Sequence, residues 1–341
     1  MKSIREAIAR LVGGQSLSED AAQAAMMEIL EGEATPAQTG AFLTALQMKG
    51  QTAAEITGCA RAMRRLARPV RTERQDLVDI SGTGGDHAGT FNISSVAAFV
   101  VAGAGVAVAK HGARSMSQRC GSADLLEALG VRLNLAPEEV AACIDTVGIG
   151  FLFAPYLHPA LEHATRARGE IGVHTIFDVL GPLTNPAGAR AQVVGVYSAA
   201  LTEPVAQALG ALGSRAAFVV AGANGMDEFS TTGVNKVSRL DPAGVSTFAL
   251  DAAELGLPRA RIADLAGGSP EQNAASARQI LDGERGPRRD IVLLNAAVTL
   301  LVAGQTSDLG EALTVAAQAL DSGRARQKLD DLVAFTRRFH G

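Results

Sequence analysis

The chain is short of most features that would assign a protein early. It has three cysteines in 341 residues, Cys59, Cys120 and Cys143. So sparse and odd a set excludes a disulfide framework or a cysteine metal knuckle, and it suits a reducing cytoplasm. There is no surplus of positive charge. The net charge of −4 excludes the basic footprint of a nucleic-acid binder. No apolar run is long enough to cross a membrane as a helix. Met1 to Arg5 leads into an amphipathic pattern rather than a secretory signal. Internal repeats and low-complexity linkers are also missing. What remains is the composition of an ordinary soluble globular protein, 47% hydrophobic and 19% charged, long enough for one large domain and a small one. Glycine is abundant, at 37 residues, and several glycines are clustered as they would be where backbone approaches a ligand.

The first ~70 residues read as helices alone. Ile4, Ala7, Ile8 and Leu11 keep helical spacing. Ser16-Leu17-Ser18-Glu19 has capping-box form, Thr35-Pro36-Ala37-Gln38 puts proline at a first helical position, and Thr52-Ala53-Ala54-Glu55 is another start. Pro69 closes the stretch. Short apolar runs then alternate with helical patterns. The runs are Leu77–Ile80, Val106–Ala109, Phe151–Phe153, Val193–Val196 and Ala217–Val220; the helical patterns span Ser122–Leu129, Pro137–Val147 and Pro204–Leu212. Such alternation predicts a mostly parallel sheet flanked by helices. Leu309 to Phe339 reads helical again. The expectation is an α/β protein: a small all-helical domain over residues 1–70, completed by helices around 160–190, and a larger α/β domain over 71–341.

Three loops follow strands. Ser81-Gly82-Thr83-Gly84-Gly85-Asp86 lets the backbone present successive N–H groups to an anion. Thr90 to Ser95 then opens a helix of small apolar residues, a ready phosphate site. No Gly-Lys-Ser/Thr follows and the glycine spacing is not that of a dinucleotide fingerprint; a tight strand–helix turn is the plainer alternative. Lys110 to Arg119 places cations and hydroxyls at a strand end, where arginine, lysine and serine suit a pyrophosphate, or where they form only a solvated loop. Asp227 and Glu228 sit on the glycine-rich loop Gly222–Glu228, suited to sharing magnesium with phosphates or to the surface.

Together these segments resemble the anthranilate phosphoribosyltransferases along nearly the whole chain. The family's GTGGD-x3-TFNIS signature stands as Gly82–Asp86 and Thr90–Ser94, its KHGNRS and GSAD signatures as Lys110–Ser115 and Gly121–Asp124. Its HPA and TIFNLLGPLTNP segments stand as His158–Ala160 and Thr175–Pro186, and its acidic DGLDE motif as Asn224–Glu228. The resemblance implies a small helical and a larger α/β domain with the active site between them, homodimers joined through the helical domain, and the second step of tryptophan biosynthesis from chorismate. It implies that phosphoribosyl pyrophosphate is held by Gly82, Gly85, Asp86, Thr90, Asn92, Ile93, Ser94, Ser95, Lys110, Ser117, Arg119 and Ser122. Lys110 and Arg119 would act electrostatically, with no residue assigned as a chemical catalyst. Ser94, Asp227 and Glu228 would hold Mg2+, directly or through water. Gly82, His111, Ala113 and Arg168 would meet the anthranilate.

The chain departs from the family at several places. Ala113 stands for the KHGN asparagine, Asp178 for the TIFNLLG asparagine and His174 for the arginine before TIF. His87 stands where glycine is common, and Cys120 replaces a serine. His158 and His163 either line the acceptor channel or are structural. Ala113 keeps open a related arylamine as acceptor. A pyrimidine nucleoside phosphorylase and a nucleic-acid-binding relative are further alternatives; the glycine and acidic motifs count against both.

Overall fold

The computed structural model describes residues 3–114 and 119–339. Four helices open the chain: α1 (Ile4–Val12), α2 (Glu19–Leu30), α3 (Pro36–Lys49) and α4 (Ala53–Leu66). The helix starts read at Thr35 and Thr52 form, each as a capping box closed by Gln38 or Glu55. The start of α2 differs from expectation. Ser18 is the cap and accepts from Ala21 N, because the stretch before it is tied elsewhere: Leu17 N donates to Glu55 Oε1 at 2.9 Å. Glu55 is fully buried. Its other oxygen accepts from Thr52 N and Oγ1 and from Lys49 Nζ, which offsets the cost of taking a charge out of water.

The α/β part runs β1 (Val78–Gly82), α5 (Ile93–Gly103), β2 (Val108–Gly112), α6 (Ser122–Leu129), α7 (Pro137–Val147), β3 (Ile149–Phe153), α8 (Ala154–Leu157), α9 (Glu162–Ile171), α10 (Ile176–Leu183), β4 (Ala191–Gly195), α11 (Thr202–Ala211), β5 (Ala216–Ala221), β6 (Val234–Asp241), β7 (Gly244–Asp251), α12 (Pro270–Leu281), α13 (Pro287–Ala303), α14 (Leu309–Asp321) and α15 (Arg324–Thr336). The sheet order is β3-β2-β1-β4-β5-β6-β7. β1 to β5 are parallel and β6 and β7 antiparallel, so the mostly parallel α/β class read from the sequence holds. The β6–β7 hairpin has no counterpart in the sequence reading. Its inward positions include Asn235 and Ser238, both buried, and polar residues inside blur the apolar alternation that marks a strand.

Strand side chains alternate between two cores. Val78, Ile80, Val193 and Val220 face a layer of α5 and α12 to α15. Val194, Val196, Val219 and Ala221 face the other way, onto α10 and α11. That second core is continuous with α1 to α4, and α9 packs on α2 and α3. Helix α5 is buried on every side apart from Ser94 in its first turn, which is why its sequence is apolar all round. Among the described residues, no helix is long and apolar enough to cross a membrane.

Candidate active site

In the sheet order, β2 and β3 lie to one side of β1 and β4 and β5 to the other. The chain direction therefore reverses between β1 and β4, and in open parallel sheets ligands bind outside the carboxyl ends of strands at such a point. A cleft of about 600 Å³ lies there, walled by the loops after β1, β2 and β5 and by α9 and α10. Gly82 and Gly195 are paired across β1 and β4, and the Asp227 backbone crosses directly over both. A Cβ on Gly195 would fall 1.4 Å from Asp227 O, and one on Gly82 would fall 2.2 Å from Asp227 Oδ2. These two glycines are where the backbone must come close.

Charge gathers at this crossing. Asp227 Oδ2 accepts from Gly84 N at 2.7 Å, and Asp227 N donates to Asp86 Oδ2 at 3.4 Å. Glu228 Oε1 accepts from Ser94 N, in the first turn of α5, at 3.1 Å. Glu228 Oε2 is buried without a partner. Lys110 Nζ donates to Ile80 O at 2.7 Å and to Ser94 Oγ at 3.4 Å. Burial, then the neighbouring Asp86, pushes the Asp227 carboxyl up to about 7. Burial, then Asp227 and Asp86, raises Glu228 well above its usual range. Burial also lowers the Lys110 ammonium. Stacked carboxylates with one oxygen unsatisfied call for a cation. Among the described residues no group of three His, Cys, Asp or Glu forms a ready cage. Two carboxylates instead suit an ion that arrives partly ligated by phosphate.

In the same cleft, His111 at the end of β2 has Nδ1 2.9 Å from Gly181 O of α10. His111 N donates to the buried Asp79 carboxylate, which Asn185 also holds. Arg168 donates to Asp178 Oδ1 at 3.0 Å, and Asp178 Oδ2 caps α10 by accepting from Thr175 N at 2.8 Å. The His174 ring stacks on Tyr197 with centroids 4.1 Å apart and fills the space against Gly85, where a Cβ would meet His174 Cε1 at 2.0 Å. His87 has φ of 53°. That is left-handed backbone, which accounts for a glycine being the easier residue there.

Most residues singled out from the sequence line the one cleft: Gly82, Gly85, Thr90, Asn92, Ser94, Ser95, Lys110, His111, Ala113, Ser122, Arg168, Asp227 and Glu228. Some do not. Ile93 is buried in the apolar core with the rest of α5. The Asp86 carboxylate is turned back to Ala88 N and Asp227 N. Arg119 is exposed and outside the lining, and Ser117 lies outside the described residues. Asn92 lines the cleft, but its side chain is committed, donating to Cys120 O and accepting from Asn273 Nδ2. Arg114 also lines the cleft, with its guanidinium paired to Asp124 and Glu127. His158 lines the cleft, whereas His163 packs against Gly32 at the end of α2. Thr175 and Phe177 also line the cleft; the sequence reading placed them in the Thr175–Pro186 segment without a site role.

Comparison with known proteins agrees with this arrangement. Residues 5–67 match "Glycosyl transferase family, helical bundle domain" and residues 74–326 match "Glycosyl transferase family, a/b domain". These matches define a glycosyl transferase with a helical bundle and an α/β unit. The anthranilate phosphoribosyltransferase of Moorella thermoacetica is 56% identical over 332 residues, covering 97% of this chain and 98% of the relative. The crystal structure of the Thermus thermophilus anthranilate phosphoribosyltransferase superposes with a TM-score of 0.92 at 47% identity, covering 97% of this chain and 99% of that one. The Saccharomyces cerevisiae enzyme in complex with PRPP and Mg gives 0.91 at 27% identity, covering 98% of each chain. The chain belongs to the anthranilate phosphoribosyltransferase family.

Proposed function

We propose that the chain moves the 5-phosphoribosyl group of phosphoribosyl pyrophosphate onto the amine of anthranilate and releases pyrophosphate. The observation that carries this reading is the crossing of Asp227-Glu228 over the glycine loop at the sheet's reversal point, in one cleft with Arg168 and His111. Anion-seeking backbone and cation-seeking carboxylates meet in a cleft that a guanidinium also lines. The donor's phosphates would lie along Gly82–Gly85, Thr90, the first turn of α5 and Lys110, where N–H dipoles and the ammonium offset their charge. Asp227, Glu228 and Ser94 would hold magnesium. When bound, the ion supplies charge neutralisation for the departing pyrophosphate. Arg168 would take the acceptor carboxylate, its planar fork matching that group. An arylamine is neutral at working pH, so much of the acceleration comes from placing it beside the anomeric carbon.

The loss of anthranilate fluorescence on mixing purified protein with phosphoribosyl pyrophosphate and magnesium tests the reading. Rapid, magnesium-dependent loss is expected. Binding of the donor without loss of anthranilate would favour the second reading, a related arylamine. Ala113 motivates that reading, since it has no polar side chain for the acceptor.

A homodimer joined through the helical domain belongs to the same proposal. Val12 and Met48, exposed at 74% and 84%, place apolar side chains on that domain's surface. Light scattering at twice the chain mass would support it. The three cysteines are free and buried, as a reducing cytoplasm permits.

A further inference from the structure

Among the described residues, every lysine and arginine that lines the cleft already has an acidic neighbour. Lys110 feels Asp79, Glu228 and Asp227, Arg114 pairs with Asp124 and Glu127, and Arg168 pairs with Asp178. Burial keeps the His111 and His158 rings uncharged at neutral pH, at about 3 and about 4. The pair on α9 and α10 is built as a unit. Arg168 Nη2 donates to Asp178 Oδ1 at 3.0 Å, and the guanidinium carbon lies 5.1 Å from the centre of the Phe177 ring. Asp178 Oδ2 accepts from Thr175 N, and His174 Nδ1 stands 3.5 Å from the same oxygen. All five residues line the cleft, and the side chains of Arg168 and Asp178 stay partly open, at 17% and 24%. Neither is saturated by these bonds, since a guanidinium carries five N–H donors and a carboxylate about four lone-pair sites.

A donor and an acceptor therefore stand side by side in the cleft, with no net charge between them. An anionic group can use only the donor, and it meets Asp178 as a like charge. A planar primary carboxamide uses both, because its oxygen accepts from the guanidinium while its N–H donates to the carboxylate. We propose that the Arg168–Asp178 pair admits a second class of acceptor, arylamines that carry an uncharged carboxamide ortho to the amine. The inference rests on the phosphoribosyl-transfer reading and extends its substrate class. The bond changes at the sugar are the same for both classes. The amine lone pair forms the C–N bond at the anomeric carbon. The C–O bond to pyrophosphate breaks, its electron pair leaves with pyrophosphate, and one amine proton is lost to solvent. The carboxamide takes no part in these steps. It orients the ring through two hydrogen bonds, each charge-assisted from the protein's side. Asp178 is thus a specificity-determining residue, setting how strongly a negative charge on the acceptor is penalised.

The test measures pyrophosphate release by the purified full-length protein with phosphoribosyl pyrophosphate, magnesium and either anthranilate or its carboxamide, 2-aminobenzamide. The parent's kcat/KM for 2-aminobenzamide should lie within about tenfold of its value for anthranilate, one hydrogen bond's worth of discrimination. Asp178→Asn keeps a capping oxygen and removes the like charge, so it should shift the ratio of the two kcat/KM values about tenfold toward anthranilate. Asp178→Ser, which also caps, should shift it the same way and decides the point if the asparagine variant does not fold. A donor KM within twofold of the parent's establishes that a variant is folded. A ratio unmoved within threefold by both substitutions overturns the inference. So does release with anthranilate alone, and in that case the transfer reading stands. If the donor binds and neither arylamine releases pyrophosphate, the transfer reading itself falls and takes this inference with it.

Discussion

Arg168 of α9 donates a 3.0 Å hydrogen bond to Asp178, and Asp178 uses its second oxygen to cap α10. One carboxylate therefore fixes a helix start and orients the guanidinium that faces the cleft. It also partly neutralises that guanidinium before any anionic acceptor arrives. Charge-assisted hydrogen bonds are worth about 1.5–3 kcal/mol, or roughly 10- to 150-fold. Arg168→Ala should raise the acceptor KM by about that factor and leave the donor KM alone. Asp178→Asn keeps a capping oxygen and removes the competing charge, so it should lower the acceptor KM. Steady-state kinetics with anthranilate decide both; an acceptor KM unmoved by Arg168→Ala places the acceptor elsewhere.

Gly195 leaves no room for a side chain beneath Asp227. Gly195→Ala must push the acidic loop off the strand ends, at a cost of about 1–3 kcal/mol in stability. Its effect on turnover should be larger than that stability loss suggests, and should approach that of Asp227→Ala, for which no magnesium-dependent activity is expected. Magnesium titrations of the rate check this. A Gly195→Ala enzyme with the parent's magnesium response would mean that the Asp227 position does not matter.

Burial and Asp86 push the Asp227 carboxyl up to about 7, and an ion must find it ionised. Below that value a proton has to leave first. Apparent magnesium affinity with donor present should therefore rise from pH 6 to pH 8, with proton release at the lower end. Calorimetry in buffers of different ionisation heat measures the release. Asp227→Asn should show a flatter pH dependence, and an equal slope in the variant would assign the proton to the donor's phosphates instead.

The buried imidazoles make a stability prediction. His111 is held down to about 3 and His158 to about 4, chiefly by burial, against about 6.5 in an unfolded chain. Between those limits the unfolded chain binds more protons than the folded one, so stability falls as pH drops through 6.5 toward 4. The buried Asp79, raised to about 6 mainly by burial, acts in the opposite direction in the same window. Comparing variants separates the two. The fall in Tm from pH 7 to pH 5 should be smaller in His158→Gln than in the parent, and an equal fall would mean that His158 is already charged in the folded state.

Much of the fold could be read along the chain, because its signals are local. Capping boxes at Thr35 and Thr52 depend on residues three apart, and the buried parallel strands announce themselves as short runs of valine, alanine and isoleucine. The hairpin of β6 and β7 escaped because Asn235 and Ser238 point inward; Asn235 is satisfied by the Ser230 and Leu250 carbonyls, partners no local pattern names. The start of α2 was misplaced for a similar reason, since Leu17 is held by Glu55 from another helix.

The chemistry-bearing motifs were legible as well: the glycine loop, Lys110, and the Asp227-Glu228 pair each follow a strand, and strand ends in a parallel sheet face one side. The sequence by itself determined which residue types stand at those ends, because backbone periodicity and glycine placement are properties of neighbours in the chain. Only the tertiary structure decided how they combine. It laid Asp227 across Gly82 and Gly195, turned Asp86 and Asn92 toward the scaffold, and brought the His111 and His158 rings together in the wall of one cleft. Those outcomes depend on burial and on contacts between segments dozens of residues apart, and the free energy of a buried charge or lone pair is set by what surrounds it in space.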